Sequence, residues 1–297
     1  MMRIFRPRRS ALYVPGAKLR AIDRSREINA DVLVFDLEDS ATPEQKDNAR
    51  ENVCAAISRG GYGEREIVIR INPLATPWGE EDLMAAVSSG ADGILVPKIS
   101  SAEDVLMVAR VLSTCDGASN VEIWAMIETS RALLHIGDIA SIAEEADVPL
   151  TCLVLGTNDL VKETRIKFTD GRGPLAHWIS MVVLAARAHG LDVLDGVYNK
   201  FRDMEGFLDE CKKALELGMD GKTLIHPSQT ELANELFCPS PSEINQARRV
   251  ISAFELPENI DAGVINLDGE MVERLHLEMA HRTLTISEVI AVLDNQS

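Results

Sequence analysis

Glu128 and Asp159 each follow a short apolar run. Residues 123–127 (IWAMI) lead into Glu128, and residues 153–155 (LVL) lead through Gly156 to Asp159. Runs this short and apolar suit strands buried on both faces, as parallel sheets require. A helical pattern separates them, and a parallel pair joined by a helical crossover sends both strand exits to one rim. Two carboxylates on one rim can hold a hard cation such as Mg²⁺ through oxygen, leaving positions open for substrate. The other reading makes Glu128 a cap for the next helix and puts Asp159 in a turn. Spacing alone does not choose between the two.

The rest of the composition narrows the class. The 297 residues fit one large domain or two, and 46% hydrophobic with 26% charged residues describes a chain with a substantial core. No apolar run approaches the roughly 20 residues of a membrane helix. The first ten residues, MMRIFRPRRS, are basic but lack the apolar segment of a secretory signal. Five scattered cysteines without a CxxC read as reduced cytoplasmic thiols, with no zinc site expected. A net charge of −17 argues against nucleic-acid or anionic-membrane partners. Local cations can still hold a phosphorylated ligand. The basic residues Arg3, Arg6, Arg8, Arg9, Lys18, Arg20, Arg24 and Arg26 crowd the start of the chain, and for most of them a solvated face is the expectation.

The elements that must position the two acids follow a regular rhythm. Strands are expected at 10–14, 31–35, 66–71, 93–96, 123–127, 153–155, 191–194 and 222–225. Helical patterns fall between nearly all of them, at 18–28, 43–58, 81–88, 101–112, 174–189 and 203–217. Eight such units in about 230 residues predict a (β/α)₈ barrel. A doubly wound sheet is the alternative, but no GxGxxG follows the first strand. In such a barrel chemistry sits at the C-terminal strand ends. There the sequence places Asp36, Glu38, Asp39, Arg70, Lys98, Glu128, Asp159, Asp195 and His226. The expected division is a catalytic barrel at 1–237 and a C-terminal helical extension at 238–297. In the extension a capping box near Ser240 and Glu243 opens a helix, a loop (DAGVINLDGE) follows, and two further helical patterns end the chain. The Asp268-Gly269 loop is a candidate lid.

Eight stretches carry a family resemblance: RRSALYVPGA (8–17), DVLVFDLEDSA (31–41), IRINPLATPWG (69–79), MIETSRAL (126–133), LGTNDL (155–160), LDGVYNKFRD (194–203), GKTLIHPSQ (221–229) and VINLDGEMVE (264–273). In this order and at strand ends, they resemble the citrate lyase β-subunit and malyl-CoA lyase group of the HpcH/HpaI aldolase superfamily. That resemblance implies a TIM barrel with a C-terminal lid, assembled as homotrimers or hexamers with the lid lent to a neighbouring subunit. It implies Mg²⁺, with Mn²⁺ able to take its place, held by Glu128 and Asp159. It implies Arg70 pairing with the carboxylate of a 2-oxo acid, a task that suits a guanidinium fork. Lys18 and Arg24 match basic positions that hold the CoA thioester, and Asn158 falls among the substrate-binding residues. Asp36, Glu38 and Asp39 match acids lying behind the metal's waters. His226 matches a segment that lines the CoA pocket.

Asp268 resembles the aspartate that stand-alone CoA-ester enzymes carry on the lid, where the citrate lyase β-subunit tends to have asparagine. The family often continues GKMI, whereas this chain has Gly269-Glu270-Met271-Val272. The implied reaction is cleavage of a malyl-CoA, methylmalyl-CoA or citramalyl-CoA type ester into a 2-oxo acid and the enolate of an acyl-CoA. Asp268 would carry the enolate's proton, and the cation would stabilise charge on the carbonyl oxygen. Thioester hydrolysis and a subunit acting on an acyl-carrier-protein thioester are the competing functions.

Overall fold

The computed structural model describes residues 6–167 and 172–294. Arg3, one of the basic residues noted above, lies outside them. Eight parallel strands close into a barrel in sequence order, with β1 hydrogen-bonded to both β2 and β8. The chain runs β1 (Ser10–Pro15), α1 (Leu19–Arg24), β2 (Val32–Asp36), α2 (Lys46–Arg59), β3 (Glu66–Arg70), α3 (Gly79–Ser89), β4 (Gly93–Ile99) and α4 (Ala102–Ser113). It continues with β5 (Glu122–Ile127), α5 (Ser130–Leu134), α6 (Ile136–Ser141), β6 (Leu150–Leu155), α7 (Thr157–Thr164), α8 (Gly173–Ala188), β7 (Asp192–Asp195), α9 (Met204–Glu216) and β8 (Gly221–Leu224). This is the expected (β/α)₈ barrel. Among the described residues no helix is long and apolar enough to cross a membrane.

The strands are mostly apolar because both faces are covered. In β2, Val32 and Val34 join Ala11, Val68, Leu95, Trp124, Met126, Cys152, Val154 and Leu194 in one buried cluster, while Leu33 and Phe35 point the other way and are equally buried. Alternation along a strand assigns one set to the barrel interior and the other to the helical ring.

At the N-terminal mouth, Arg8 reaches one acid from the first residue of each later odd strand. Its guanidinium meets Glu66 at 2.6 and 2.7 Å, Glu122 at 2.5 Å and Asp192 at 2.7 Å, and stacks 4.6 Å over Trp124. Arg9 forks onto Asp31. The solvated face expected for the N-terminal basic residues is therefore wrong for Arg8 and Arg9, which are buried, and right for Lys18, Arg20 and Arg24, which are exposed. Charge clustering reports local density but not which side chains find buried acids distant in sequence.

Contacts divide the chain into two compact units, 8–234 and one containing 235–294. In the second, α10 (Thr230–Leu236) leads in from the barrel, followed by α11 (Pro241–Phe254), β9 (Val264–Leu267), β10 (Glu270–Glu273) and α12 (Arg274–Asp294). Ala247, Val250, Phe254, Ile265, Val272 and Ala280 form its small core. Ser240 and Glu243 make the expected capping box. The expected loop is instead an antiparallel hairpin, β9 against β10, and the two final helical patterns are one helix. Asp268 and Gly269 turn the hairpin with φ of 56° and 90°, the positive pair of a type I′ turn for which Asp-Gly is a favoured sequence.

Candidate active site

The C-terminal ends of the strands surround a cavity of about 330 Å³ lined by Tyr13, Asp36, Asp39, Arg70, Glu128, Asn158, Asp159, Asn199 and neighbouring residues. Glu128 follows β5 directly and is 1% exposed. It does not cap the next helix: Thr129 does, accepting from the Ala132 amide. Asp159 lies in the first turn of α7, where the helix dipole favours a carboxylate.

Between the two acids stands Lys98. β4 loses register with β5 between Val96 and Ile99, around Pro97, which has no amide to donate. Such a bulge re-aims a side chain, and Lys98 takes a left-handed backbone, φ 57°. Its backbone N–H donates to Glu128 Oε1 at 2.8 Å. Its ammonium lies 3.2 Å from the same oxygen and 2.7 Å from Asp159 Oδ1. Burial pushes the Glu128 carboxyl above its ordinary pKa, against the pull of Lys98. Burial alone would lower the Lys98 ammonium, but Asp159 and Glu128 together carry it upward.

Gly156 makes room for this acid. A Cβ there would overlap the Glu128 Cβ and stand 2.5 Å from its Oε2. Overpacking of this kind costs about 1–3 kcal/mol, here concentrated on the Glu128 side chain. Gly156→Ala is expected to weaken divalent-cation affinity about ten-fold or more, equivalent to about 1.4 kcal/mol. Isothermal titration with Mg²⁺ measures it, and unchanged affinity would show that Glu128 has slack to move.

On the opposite wall Arg70 ends β3. Its Nε and Nη2 fork onto Asp36 at 2.7 and 2.8 Å, and Nη1 lies 3.1 Å from Glu38 and 3.2 Å from Asp39. The fork assigned above to a substrate carboxylate is thus engaged by the protein's own acids. Of these, Asp39 is the one that can give way, at 72% exposed against 6% and 11% for Asp36 and Glu38. Tyr13 lies 4.8 Å under the guanidinium, its buried hydroxyl without a hydrogen-bond partner. The acid loop is clamped from behind by the buried Lys46 ammonium, which donates to the carbonyls of Leu37 and Glu38, and by Asn72 Nδ2 on Leu37 O.

Burial, only partly opposed by Arg70, raises the Glu38 carboxyl from 4.5 to about 7. The folded protein therefore keeps this proton across a window in which the unfolded chain releases it. Stability falls as pH rises from about 4.5 to about 7, by at most ~3 kcal/mol for this group. Glu38→Gln, which mimics the protonated acid, is expected to flatten that slope. Urea unfolding at pH 5 and pH 7.5 measures it. Equal slopes in the variant and the native chain would contradict the assignment.

Other residues singled out in the sequence fall in different places. Asn158 lines the cavity, its amide exchanging hydrogen bonds with Asn199 across the rim at 2.7 and 3.3 Å. Lys18 and Arg24 are exposed at the two ends of α1 and do not line the cavity. Asp195 is fully buried between Arg172 and Lys222, each at 2.6 Å, and braces the barrel beneath the rim. His226 stacks on Phe201, with ring centroids 4.7 Å apart, and its Nδ1 meets Ser228 Oγ at 2.8 Å. Asp268, in the second unit, contacts the Arg249 guanidinium. Sequence reasoning missed Tyr13, Lys46 and Asn199 and left Lys98 without a role. For Lys98 the signal was present: Pro-Lys at the end of a strand pattern marks a break in the ladder.

The sequence profile of the HpcH/HpaI aldolase/citrate lyase family matches residues 9–227, nearly the whole barrel. The chain belongs to that family. It is 44% identical to a (3S)-malyl-CoA thioesterase of Cereibacter sphaeroides, over 96% of both chains. It is 34% identical to the citrate lyase subunit beta of Escherichia coli, over 97% of this chain and 95% of that one. Among solved structures, the Mycobacterium tuberculosis protein CitE in complex with magnesium, acetoacetate and coenzyme A superposes with a TM-score of 0.73 at 26% identity. That match covers 95% of this chain and 98% of the other. Like other members of this family of lyases and related enzymes, the chain is an enzyme.

Magnesium in that relative raises the question of whether the residues here suit a divalent ion. They do. The donors are carboxylate oxygens, which hard cations prefer, and a positive group already bridges Glu128 and Asp159 at 3.2 and 2.7 Å. Among the described residues no three His, Cys, Asp or Glu side chains form a ready cage. Magnesium held by one or two carboxylates, with water and substrate supplying the remaining oxygens, needs none.

Proposed function

We propose that this member of the HpcH/HpaI aldolase/citrate lyase family is a divalent-cation-dependent carbon–carbon lyase. Its substrate is the free CoA ester of a short, carboxylated 3-hydroxy acid of the malyl, methylmalyl or citramalyl type. The observation that carries the reading is the pairing, across one cavity, of a cation position at Glu128 and Asp159 with the Arg70 guanidinium. One holds positive charge where a carbonyl or hydroxyl oxygen must be polarised, and the other receives a carboxylate. Mg²⁺, with Mn²⁺ as the substitute, supplies a Lewis acid that stabilises negative charge developing on the substrate's oxygen.

The chain's own residues do the rest. Arg70 receives the substrate carboxylate at Nη1 as Asp39 yields, with Asp36 and Glu38 keeping the guanidinium in place. Asn158, fixed by Asn199, orients the acid portion. Lys18 and Arg24 attract the CoA phosphates, and His226 with Phe201 offers a flat surface beside the cavity. Loss of the carbinol O–H proton to solvent, with breaking of the bond between the α-carbon of the thioester and the carbinol carbon, leaves a 2-oxo acid and the enolate of an acyl-CoA. Asp268 is assigned the proton that the enolate takes up in cleavage, and in the condensation direction it removes that proton from the acyl-CoA. Aspartate at this position, and not asparagine, favours a free CoA ester over a carrier-protein thioester. This reading places catalysis in the barrel at 1–237 and the proton carrier in the extension at 238–297.

Hydrolysis of the same ester is the second reading, favoured by the name of the 44% identical relative. Incubation with malyl-CoA and Mg²⁺, measuring glyoxylate, acetyl-CoA, malate and free CoA together, separates the two. Glyoxylate rising in step with acetyl-CoA, and lost with EDTA, is expected of the lyase. Malate and free CoA without glyoxylate would make the enzyme a thioesterase.

A further inference from the structure

Lys98 has a feature that lining a pocket does not require. Its backbone is left-handed at a bulge, a conformation that residues with a Cβ, Asn and Asp apart, seldom adopt. The bulge gives one residue two tasks at the same acid. The amide N–H holds Glu128 Oε1 at 2.8 Å, while the ammonium covers that oxygen at 3.2 Å and Asp159 Oδ1 at 2.7 Å.

A divalent ion bonded to both carboxylates would occupy the space that the ammonium fills, and the two positive charges cannot share it. The amide contact, by contrast, is compatible with either occupant. The side chain has somewhere to go, being 39% exposed, and a lysine stem is flexible enough to swing clear.

We propose that the Lys98 ammonium is the resident occupant of the cation position, and that a divalent ion binds by displacing it. The inference rests on the reading of Glu128 and Asp159 as the cation's holders. In the metal-free enzyme Lys98 prevents repulsion between the two acids and keeps them at a cation's spacing. In the loaded enzyme its amide still orients Glu128, and its amine is released toward the rim. Metal loading is an exchange, so the measured affinity is reduced by the fraction of molecules whose lysine has swung away.

Manganese titration followed by electron paramagnetic resonance tests this on the full-length native chain, Lys98→Met and Asp159→Asn. Methionine keeps the stem and the strained backbone but removes the charge. Lys98→Met is expected to bind Mn²⁺ about ten-fold more tightly than the native chain, as it would if the lysine were displaced about a tenth of the time. Equal or weaker binding overturns the proposal while leaving the metal site standing. A native chain that binds no better than Asp159→Asn removes the metal site itself, and the proposal with it.

A second measurement needs no variant. Acylation of Lys98 by an amine-reactive ester, quantified by mass spectrometry, is expected to rise several-fold when saturating Mn²⁺ is added to the native chain. An unchanged rate means that the ammonium was not displaced, and overturns the proposal.

Discussion

Glu128→Gln and Asp159→Asn are each expected to lower turnover of a malyl-CoA-type ester by about 10³-fold, the scale on which lost stabilisation of a developing oxyanion is felt. The two variants should differ in how they fail. Glu128 is 1% exposed and anchored by the Lys98 amide, whereas the Asp159 side chain is 36% exposed. Glutamine at 128 keeps the shape and the amide contact, so the fold should survive while cation affinity is lost. Asparagine at 159 can let water replace the missing ligand, so excess Mg²⁺ should recover part of its activity. The double variant should fall little below the worse single one, as expected of two acids that hold one cation between them. Mg²⁺ dependence of kcat for the four proteins measures this. Full activity in either single variant would remove the cation site from the mechanism.

The second large effect belongs to Arg70, and stability reports it as clearly as activity does. The guanidinium is nine-tenths buried and meets three carboxylates. Burial alone would lower its pKa, and the Asp36 carboxylate, aided by the other acids, carries it well above the usual value instead. Arg70→Met would strand Asp36, and breaking a buried pair from one side costs about 3–5 kcal/mol. Arg70→Lys keeps the charge but cannot fork, so substrate binding should weaken even where the protein folds. Asp39→Asn supplies the opposite sign. If the substrate carboxylate takes the Nη1 position that Asp39 now holds, removing that competitor should lower KM with little change in stability. Urea unfolding and steady-state kinetics on the three variants check both effects. A raised KM for Asp39→Asn would mean that the acid assists substrate binding.

The barrel was legible because its strands obey one rule: buried on both faces, they are short apolar runs, and residues 31–35 or 66–71 cannot be mistaken for solvated segments. The rim acids were legible for the same reason, since a strand such as β5 ends where its apolar run ends, at Glu128. Contacts between residues distant in sequence were not. Nothing local to Arg8 announces Glu66, Glu122 and Asp192, which only barrel closure gathers at one mouth. Nor does the Arg70 fork announce that Asp36 already fills it. The hairpin around Asp268 was missed for a different reason. Its Asp-Gly signal is strong, but strands as short as β9 and β10 carry little periodicity. Lys98 shows the same limit at the site, because its importance comes from a bulge, and a bulge is visible only in the pairing of β4 with β5.

The claim that Glu128 and Asp159 hold a divalent cation is tested most directly by crystals grown with Mn²⁺ and measured at the manganese absorption edge. One anomalous peak is expected at the rim, bonded to a carboxylate oxygen of each acid, with the Lys98 ammonium moved away and its amide still on Glu128. A peak bonded elsewhere, or none at the rim with the ammonium still bridging the two acids, would contradict it.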